Sequence, residues 1–180
     1  DVELISDLFH LDHFNFQNSL LGNFSISIFN KTNQELMLIR DHFGSIPIFY
    51  MDDSNSLVFS TEISSLLAID EIKFNVDKYN LIDFLSLREM DLERTFFKEV
   101  KKIRPSHTLK MLKSKKSIDL YNYKGDSKKI RTNDENLVLE FTELLENSIK
   151  SSSDNKTRVG VMLSGGLDSS AITLGIKNSG

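Results

Sequence analysis

The spacing of apolar residues changes once along this chain, and that change limits what it can fold into. Between residues 24 and 60 the apolar positions come in short, closely spaced runs. Phe24, Ile26 and Ile28 alternate with Ser25 and Ser27. A period of two buries one face of a strand and leaves the other polar. A polar turn at residues 30–34 separates this run from a second at 35–40, so the two are expected to form a hairpin. A third run covers residues 46–51, and a fourth covers 57–60 with a short helix after it at 63–68. Four such runs predict an antiparallel sheet. Ahead of them, Val2, Leu4, Ile5, Leu8, Phe9 and Leu11 recur at helical spacing. After them, residues 76–87 read as a helix with Asp77 placed to cap it. Residues 96–100 and 108–112 read as further short strands. Residues 114–117 and 126–131 read as polar, basic loops.

From residue 134 the period lengthens. Leu137, Phe141, Leu144, Leu145 and Ile149 fall on one face of a helix over residues 134–150. A loop at 151–156 leads to a continuous apolar run at 159–163, the pattern of a buried parallel strand. A glycine-rich turn and an apolar helix at 170–176 follow. The change in period places a domain boundary near residues 125–133.

Composition removes several classes of function. The chain has 180 residues, 39% of them hydrophobic and 27% charged, with 13 Phe available for a core. A net charge of −4 gives no global attraction to nucleic acid or an anionic membrane. No apolar run reaches the roughly 18 residues of a membrane span. No basic-then-apolar leader opens the chain, so a cytoplasmic location is expected. The absence of Cys excludes disulfides, thiolate metal sites and a cysteine nucleophile within these residues. The chain begins with Asp rather than Met, which suggests a fragment, although processing would give the same start.

Chemistry concentrates in Ser164-Gly165-Gly166-Leu167-Asp168-Ser169-Ser170. Placed between a strand and a helix, the two glycines permit backbone angles and close approaches that a Cβ would block. The unpaired N–H groups of the helix start favour an anion there. Ser164, Ser169 and Ser170 add hydroxyl donors. Asp168 cannot favour a phosphate directly, so its expected role is to hold Mg²⁺ beside phosphate oxygens. A Walker A loop needs a Gly-Lys-Ser/Thr ending, and the absence of Lys here rejects it. A structural Gly-Gly turn is the bland alternative, but the full string after a buried strand is much more specific.

This string resembles the pyrophosphate loop of the N-type ATP pyrophosphatases. With Val159-Gly160-Val161-Met162-Leu163 before it, it is similar to that of the glutamine-hydrolysing asparagine synthetases. Upstream, Gly22-Asn23-Phe24-Ser25-Ile26 resembles the family's Gly-x-Phe-Ala-Phe strand. Arg40-Asp41-His42-Phe43-Gly44-Ser45-Ile46-Pro47-Ile48-Phe49-Tyr50 resembles its Arg-Asp-x-x-Gly-x-x-Pro-Leu-Tyr-Tyr segment. Phe59-Ser60-Thr61-Glu62-Ile63-Ser64-Ser65-Leu66 is similar to its Phe-Ala-Ser-Glu-Ile-Lys-Ala-Leu. Thr95-Phe96-Phe97-Lys98-Glu99-Val100 and Ile103-Arg104-Pro105-Ser106-His107 resemble two later segments, with Glu99 and Ser106 in place of glycines.

The resemblance implies an α+β fold over residues 1–128, the later part of a class II glutamine amidotransferase domain built as an αββα sandwich. Over 129–180 it implies the start of an α/β, parallel-sheet synthetase domain. It implies glutamine, aspartate and ATP as substrates, Mg²⁺ as cofactor, no nucleic-acid or membrane partner, and allows a homodimer. Family members hydrolyse glutamine, pass the ammonia to the synthetase domain, adenylate aspartate with ATP, and release AMP and pyrophosphate as asparagine forms. In such a step backbone donors and Mg²⁺ steady the charge on the phosphates. Asp1 matches the family's carboxylate for the glutamine amino group, a sensible charge-assisted pair; a helix cap is its plainer role. Met162 and Leu163 would offer main-chain atoms to the nucleotide, and Ser164 to Ser170 would hold its phosphates. The glutaminase nucleophile of the family is an N-terminal Cys, and this chain contains none, so these 180 residues alone are not expected to catalyse the full reaction. Near rivals are a β-lactam synthetase or lasso-peptide cyclase, which adenylate another carboxylate, and a non-catalytic remnant or assembly module.

Other polar residues carry weaker signals. His10, Asp12 and His13 lie close together but match no standard metal-ligand spacing. His42 and His107 read as structural. Arg40 and Asp41 read either as an ion pair behind the sheet or as independent charges. Lys113, Lys115, Lys116, Lys128, Lys129 and Arg131 read as solvated loops, because no aromatic residues interleave the 113–116 run.

Overall fold

The computed structural model describes residues 2–12, 15–52, 56–89, 91–112, 115–120, 134–153 and 158–179. The chain divides into two units, residues 1–125 and 126–180.

The first unit is built from two antiparallel sheets. Helix α1 (Val2–Leu11) spans the residues its spacing predicts. Strands β1 (Ser25–Asn30) and β2 (Glu35–Arg40) form the expected hairpin, with Ser25 opposite Arg40 and Asn30 opposite Glu35. Strand β3 is Phe49–Asp52 and β4 is Leu57–Ser60. Helix α2 is Ile63–Leu67 and α3 is Lys78–Leu85. Strand β5 is Lys101–Lys102, β6 is His107–Leu112 and β7 is Lys115–Leu120. One sheet has the order β1-β2-β6-β7 and the other β4-β3-β5. The four early runs therefore fall in two sheets rather than one.

Alternation along β2 explains the layering. Met37 and Ile39 face Phe9 and Phe16, where Ile5 and Leu8 of α1 also pack. Leu36 and Leu38 face the opposite way, toward Ile48, Tyr50, Ile103 and Leu109. A strand with both faces buried shows its period only through which neighbour each residue meets. On the far side of the second sheet, Met51, Leu66 and Val100 form a third cluster with Phe49, Val58 and Ile63. The layers run helix, sheet, sheet, helix.

Two local expectations fail. Residues 96–100 form no strand beyond a single bridge between Val76 and Phe97. There the Thr95 hydroxyl accepts the Phe97 N–H at 3.0 Å and reaches the Val100 carbonyl at 2.8 Å. A side chain that satisfies local backbone groups competes with a ladder. Conversely, the expected basic loop at 114–117 enters strand β7, the edge of its sheet. Lysines are a usual composition for an edge strand because they discourage further pairing.

Helix α3 keeps its expected cap. The Asp77 carboxylate accepts from Tyr79 N and Asn80 N at 3.1 and 3.2 Å. Arg94 grips the same carboxylate through Nε and Nη2 at 3.0 and 2.6 Å.

The second unit holds α4 (Asp134–Ser153) and α5 (Leu167–Ser179). They pack where Gly175 admits Ile149: a Cβ at Gly175 would lie 2.4 Å from Ile149 Cδ1. On the apolar face of α4, Leu137, Phe141 and Leu144 stay exposed. The parallel strand expected at 159–163 is not formed; these residues are neither helix nor strand, and Met162 is 94% exposed. A strand needs a neighbour to take its N–H and C=O groups, and the described residues of this unit supply only helices. Among the described residues, no helix is long and apolar enough to cross a membrane.

Candidate functional site

The loop at residues 164–170 joins an irregular approach to the start of α5. Gly165 sits at φ +83°, in the region that excludes most side chains. Gly166 brings the chain onto the helix, and its carbonyl accepts the Ser170 N–H at 3.1 Å and the Ser170 hydroxyl at 2.8 Å. The Ser169 hydroxyl donates to the same carbonyl at 3.2 Å and accepts the Ser164 N–H at 3.3 Å. The hydroxyls of Ser164 and Ser169 stand 3.1 Å apart. Gly166 N donates to Ser164 Oγ at 3.4 Å. Three hydroxyls and the helix N–H groups thus gather within one short loop.

Leu167 and Asp168 occupy the first turn of α5 and are exposed, Leu167 by 90%. A carboxylate in a first helical turn is favoured by the helix dipole. The loop brings the Ser164, Ser169 and Ser170 hydroxyls around the Gly166 backbone, with Ser164 exposed and Ser169 and Ser170 half-buried. Met162 and Leu163 precede it, exposed and outside any helix or strand ladder. Asp1 and His13 lie outside the described residues, as do Lys113, Lys128, Lys129 and Arg131. Among the described residues, no group of three or more His, Asp or Glu is placed to hold a metal ion.

In the first unit the segment from Arg40 to Ile46 forms a polar clasp. Asp41 is fully buried, and its carboxylate accepts from the backbone N–H groups of Phe43, Ser45 and Ile46 at 3.0, 3.0 and 3.2 Å. Burial alone would raise its pKa, but these bonds outweigh it and hold the carboxyl below its usual range. The Arg40 guanidinium donates to the carbonyls of Ile46 and Ile103 at 3.1 and 2.6 Å and to that of Gly44. Burial lowers its pKa, and the Asp41 charge opposes that shift. Backbone partners thus hold both charges, an arrangement neither sequence expectation included. Gly44, at φ +67°, has no room for a Cβ, which would lie 2.7 Å from Pro105 and 2.9 Å from Arg40.

The two family glycines that are replaced have separate solutions. Ser106 adopts φ +59° and anchors it by donating to the His42 carbonyl at 3.2 Å. The Glu99 carboxylate takes both Asn75 N and Asn75 Nδ2, at 2.9 and 2.8 Å. His42 and His107 meet the carbonyls of Leu20 and Pro105, at 3.2 and 2.7 Å, consistent with structural roles.

A family model described as a glutamine amidotransferase domain matches residues 1–124, and one described as asparagine synthase matches residues 140–178. The chain belongs to the glutamine amidotransferase family of the asparagine synthetase type. It is 32% identical over 165 residues to glutamine-hydrolyzing asparagine synthetase 3 of Bacillus subtilis (strain 168), covering 91% of this chain and 26% of that relative. To asparagine synthetase B of Escherichia coli (strain K12) it is 26% identical over 174 residues, covering 96% and 26%. An amidase of Gibberella zeae is 28% identical over 178 residues, with the same coverage of 96% and 26%. The chain spans about a quarter of the length of these relatives. The amidotransferase match contains the two sheets, and the asparagine synthase match contains most of α4, the serine-glycine loop and all but the last residue of α5.

Proposed function

We propose that this chain is part of a glutamine-dependent asparagine synthetase. Glutamine hydrolysis supplies ammonia, ATP adenylates aspartate, and ammonia displaces AMP as the amide forms. The observation that carries the reading is the order of the matches, an amidotransferase domain followed by an asparagine synthase segment whose loop reads Ser164-Gly165-Gly166-Leu167-Asp168-Ser169-Ser170.

In this reading the loop N–H groups and the hydroxyls of Ser164, Ser169 and Ser170 orient the pyrophosphate end of ATP. Such donors, fixed before the reaction, stabilise charge as it shifts to the leaving group. Asp168 holds Mg²⁺, which neutralises the phosphate oxygens when bound. Main-chain atoms of Met162 and Leu163 border the nucleotide, and Asp1 binds the amino group of glutamine. No Cys lies in this chain, so the nucleophile for glutamine comes from outside these residues. ATP and aspartate as substrates suit a cytoplasmic enzyme. A second reading keeps the ATP loop and changes the carboxylate, as in a β-lactam synthetase or lasso-peptide cyclase.

The test is glutamine- and aspartate-dependent release of AMP and pyrophosphate by the enzyme that contains this chain. Asp168→Asn should lower that rate by about 100-fold at fixed Mg²⁺, the scale of losing one electrostatic contact to the reacting charge. A rate within threefold of wild type would refute the Mg²⁺ assignment. Pyrophosphate release that ignores aspartate but responds to another acid would favour the second reading.

A further inference from the structure

A cavity of about 230 Å³ in the first unit is lined by Glu93, Lys102, Ile103, Arg104 and His107. It lies where β5 turns toward β6. Its charges are unevenly matched. Arg104 Nη2 reaches Glu93 Oε2 at 3.4 Å, a long ion pair with the arginine side chain 48% exposed. Lys102 is half-buried, yet among the described residues its ammonium has no carboxylate within ion-pair distance; its hydrogen bond is to the Asp91 carbonyl at 3.5 Å. The Asp91 carboxylate is engaged by the N–H groups of Glu93 and Arg94 at 2.7 and 2.8 Å. Burial, and then the charge of Arg40, push the Lys102 pKa down, with Asp91 opposing. An ammonium taken out of water without an anion is costly, and the cost falls when an anion arrives.

A second unmet donor lies in the core between the sheets, outside the cavity lining. Tyr50, paired with Lys101 across the β3–β5 ladder, is fully buried, and among the described residues its hydroxyl has no partner. Its ionisation is pushed up by burial and by the charges of Glu93 and Asp52, with Arg104 opposing. His107 donates from Nδ1 to the Pro105 carbonyl at 2.7 Å, a geometry that fixes the ring and makes it a reporter.

We propose that this cavity binds a small oxyanion, a carboxylate or a phosphate, between Lys102 and Arg104. Lys102 supplies the uncompensated charge, and Arg104 turns its free N–H groups to the ligand while keeping Glu93. The volume is ample for a small oxyanion. The site does not depend on the synthetase reading.

The experiment follows the His107 ring signals by NMR in the full chain while sodium phosphate, and separately sodium acetate, is added at constant ionic strength. A saturable shift with either probe is expected. Phosphate alone would mark a tetrahedral oxyanion site, and acetate alone or both would mark a carboxylate site; each supports the proposal. Lys102→Met and Arg104→Gln should each weaken the response at least tenfold. Lys102→Arg should retain it, and Lys73→Met, at an exposed lysine outside the cavity, should leave it unchanged. No saturable shift with either probe would overturn the proposal. So would Lys102→Met titrating as wild type, or Lys73→Met weakening the response as much as Lys102→Met. Thermal melts of each variant separate loss of the site from loss of the fold.

Discussion

Replacing Asp41 by Asn keeps the shape of the side chain and removes its charge and one acceptor. In the native clasp Oδ1 accepts from Phe43 N and Ser45 N, and Oδ2 accepts from Ile46 N at 3.2 Å. Asparagine can keep the first two, but its Nδ2 then faces the Ile46 N–H, donor to donor. An unmet donor at a buried site costs about 1–3 kcal/mol. The two surviving bonds lose the assistance of the charge, which roughly halves them and costs about 1 kcal/mol more in total. The expected destabilisation at pH 7 is therefore about 3 kcal/mol, and Asp41→Ala should cost about 4 kcal/mol. Urea unfolding followed by circular dichroism measures it, as a lower midpoint at an unchanged slope. The pH dependence fixes the cause. Because the native carboxyl titrates below its ordinary value, its contribution is complete above the unfolded pKa of about 3.9 and is lost as pH falls through the native one. Wild type and Asp41→Asn should thus converge in acid. A gap under about 0.5 kcal/mol at pH 7, or one that stays constant into acid, would refute the reasoning.

At Ser106 the positive φ favours glycine by about 1 kcal/mol, while its bond to His42 and the looser unfolded chain of a glycine offset that gain. Ser106→Gly should therefore be nearly neutral in chemical denaturation and Ser106→Ala should lose about 1 kcal/mol; a more stable Ala variant would be inconsistent with the anchoring bond to His42. Gly175→Ala gains about 1 kcal/mol of helix propensity but places its Cβ against Ile149 Cδ1. The same swap should be clearly stabilising in an Ile149→Val background, where that methyl is gone, and a double-mutant cycle with no coupling would exclude the contact.

The strands with one polar face were legible because their period is visible in the residues, as at Phe24, Ile26 and Ile28. What was hidden is partnership. Alternation along β2 does not say that Leu38 meets Ile48 while Met37 meets α1; only the path through Asp41 and Gly44 sends the chain to a second sheet. Strand β7 was missed because Lys115 and Lys116 look like a loop until an edge position explains them. The apolar run at 159–163 shows the reverse error: hydrophobicity signals a demand for burial, and a strand forms only where a pairing neighbour meets that demand. At the loop, the glycines and serines were readable from their order, and the positive φ fell on Gly165. The pairing of Ser164 with Ser169 is five residues apart and depends on the turn between them, so no spacing rule announces it. Lys102 and Arg104 carried no motif, and their cavity arises from packing alone.

The clasp also bears on the order in which the first unit assembles. Arg40 donates to the Ile103 carbonyl across 63 residues, and the Asp41 carbonyl accepts the Ser106 N–H across a similar span. Its local bonds, from Asp41 to residues 43–46, can form as soon as β2 ends. The long-range half must wait until the chain has returned, and closing a loop of that length carries an entropic toll that early contacts cannot repay. The dipeptide therefore acts in two stages, first as a turn and later as a rivet between sheets. Loss of the rivet half, through Arg40, should mainly hasten unfolding, whereas loss of the turn half should also slow folding, and a pair of chevron plots would distinguish them.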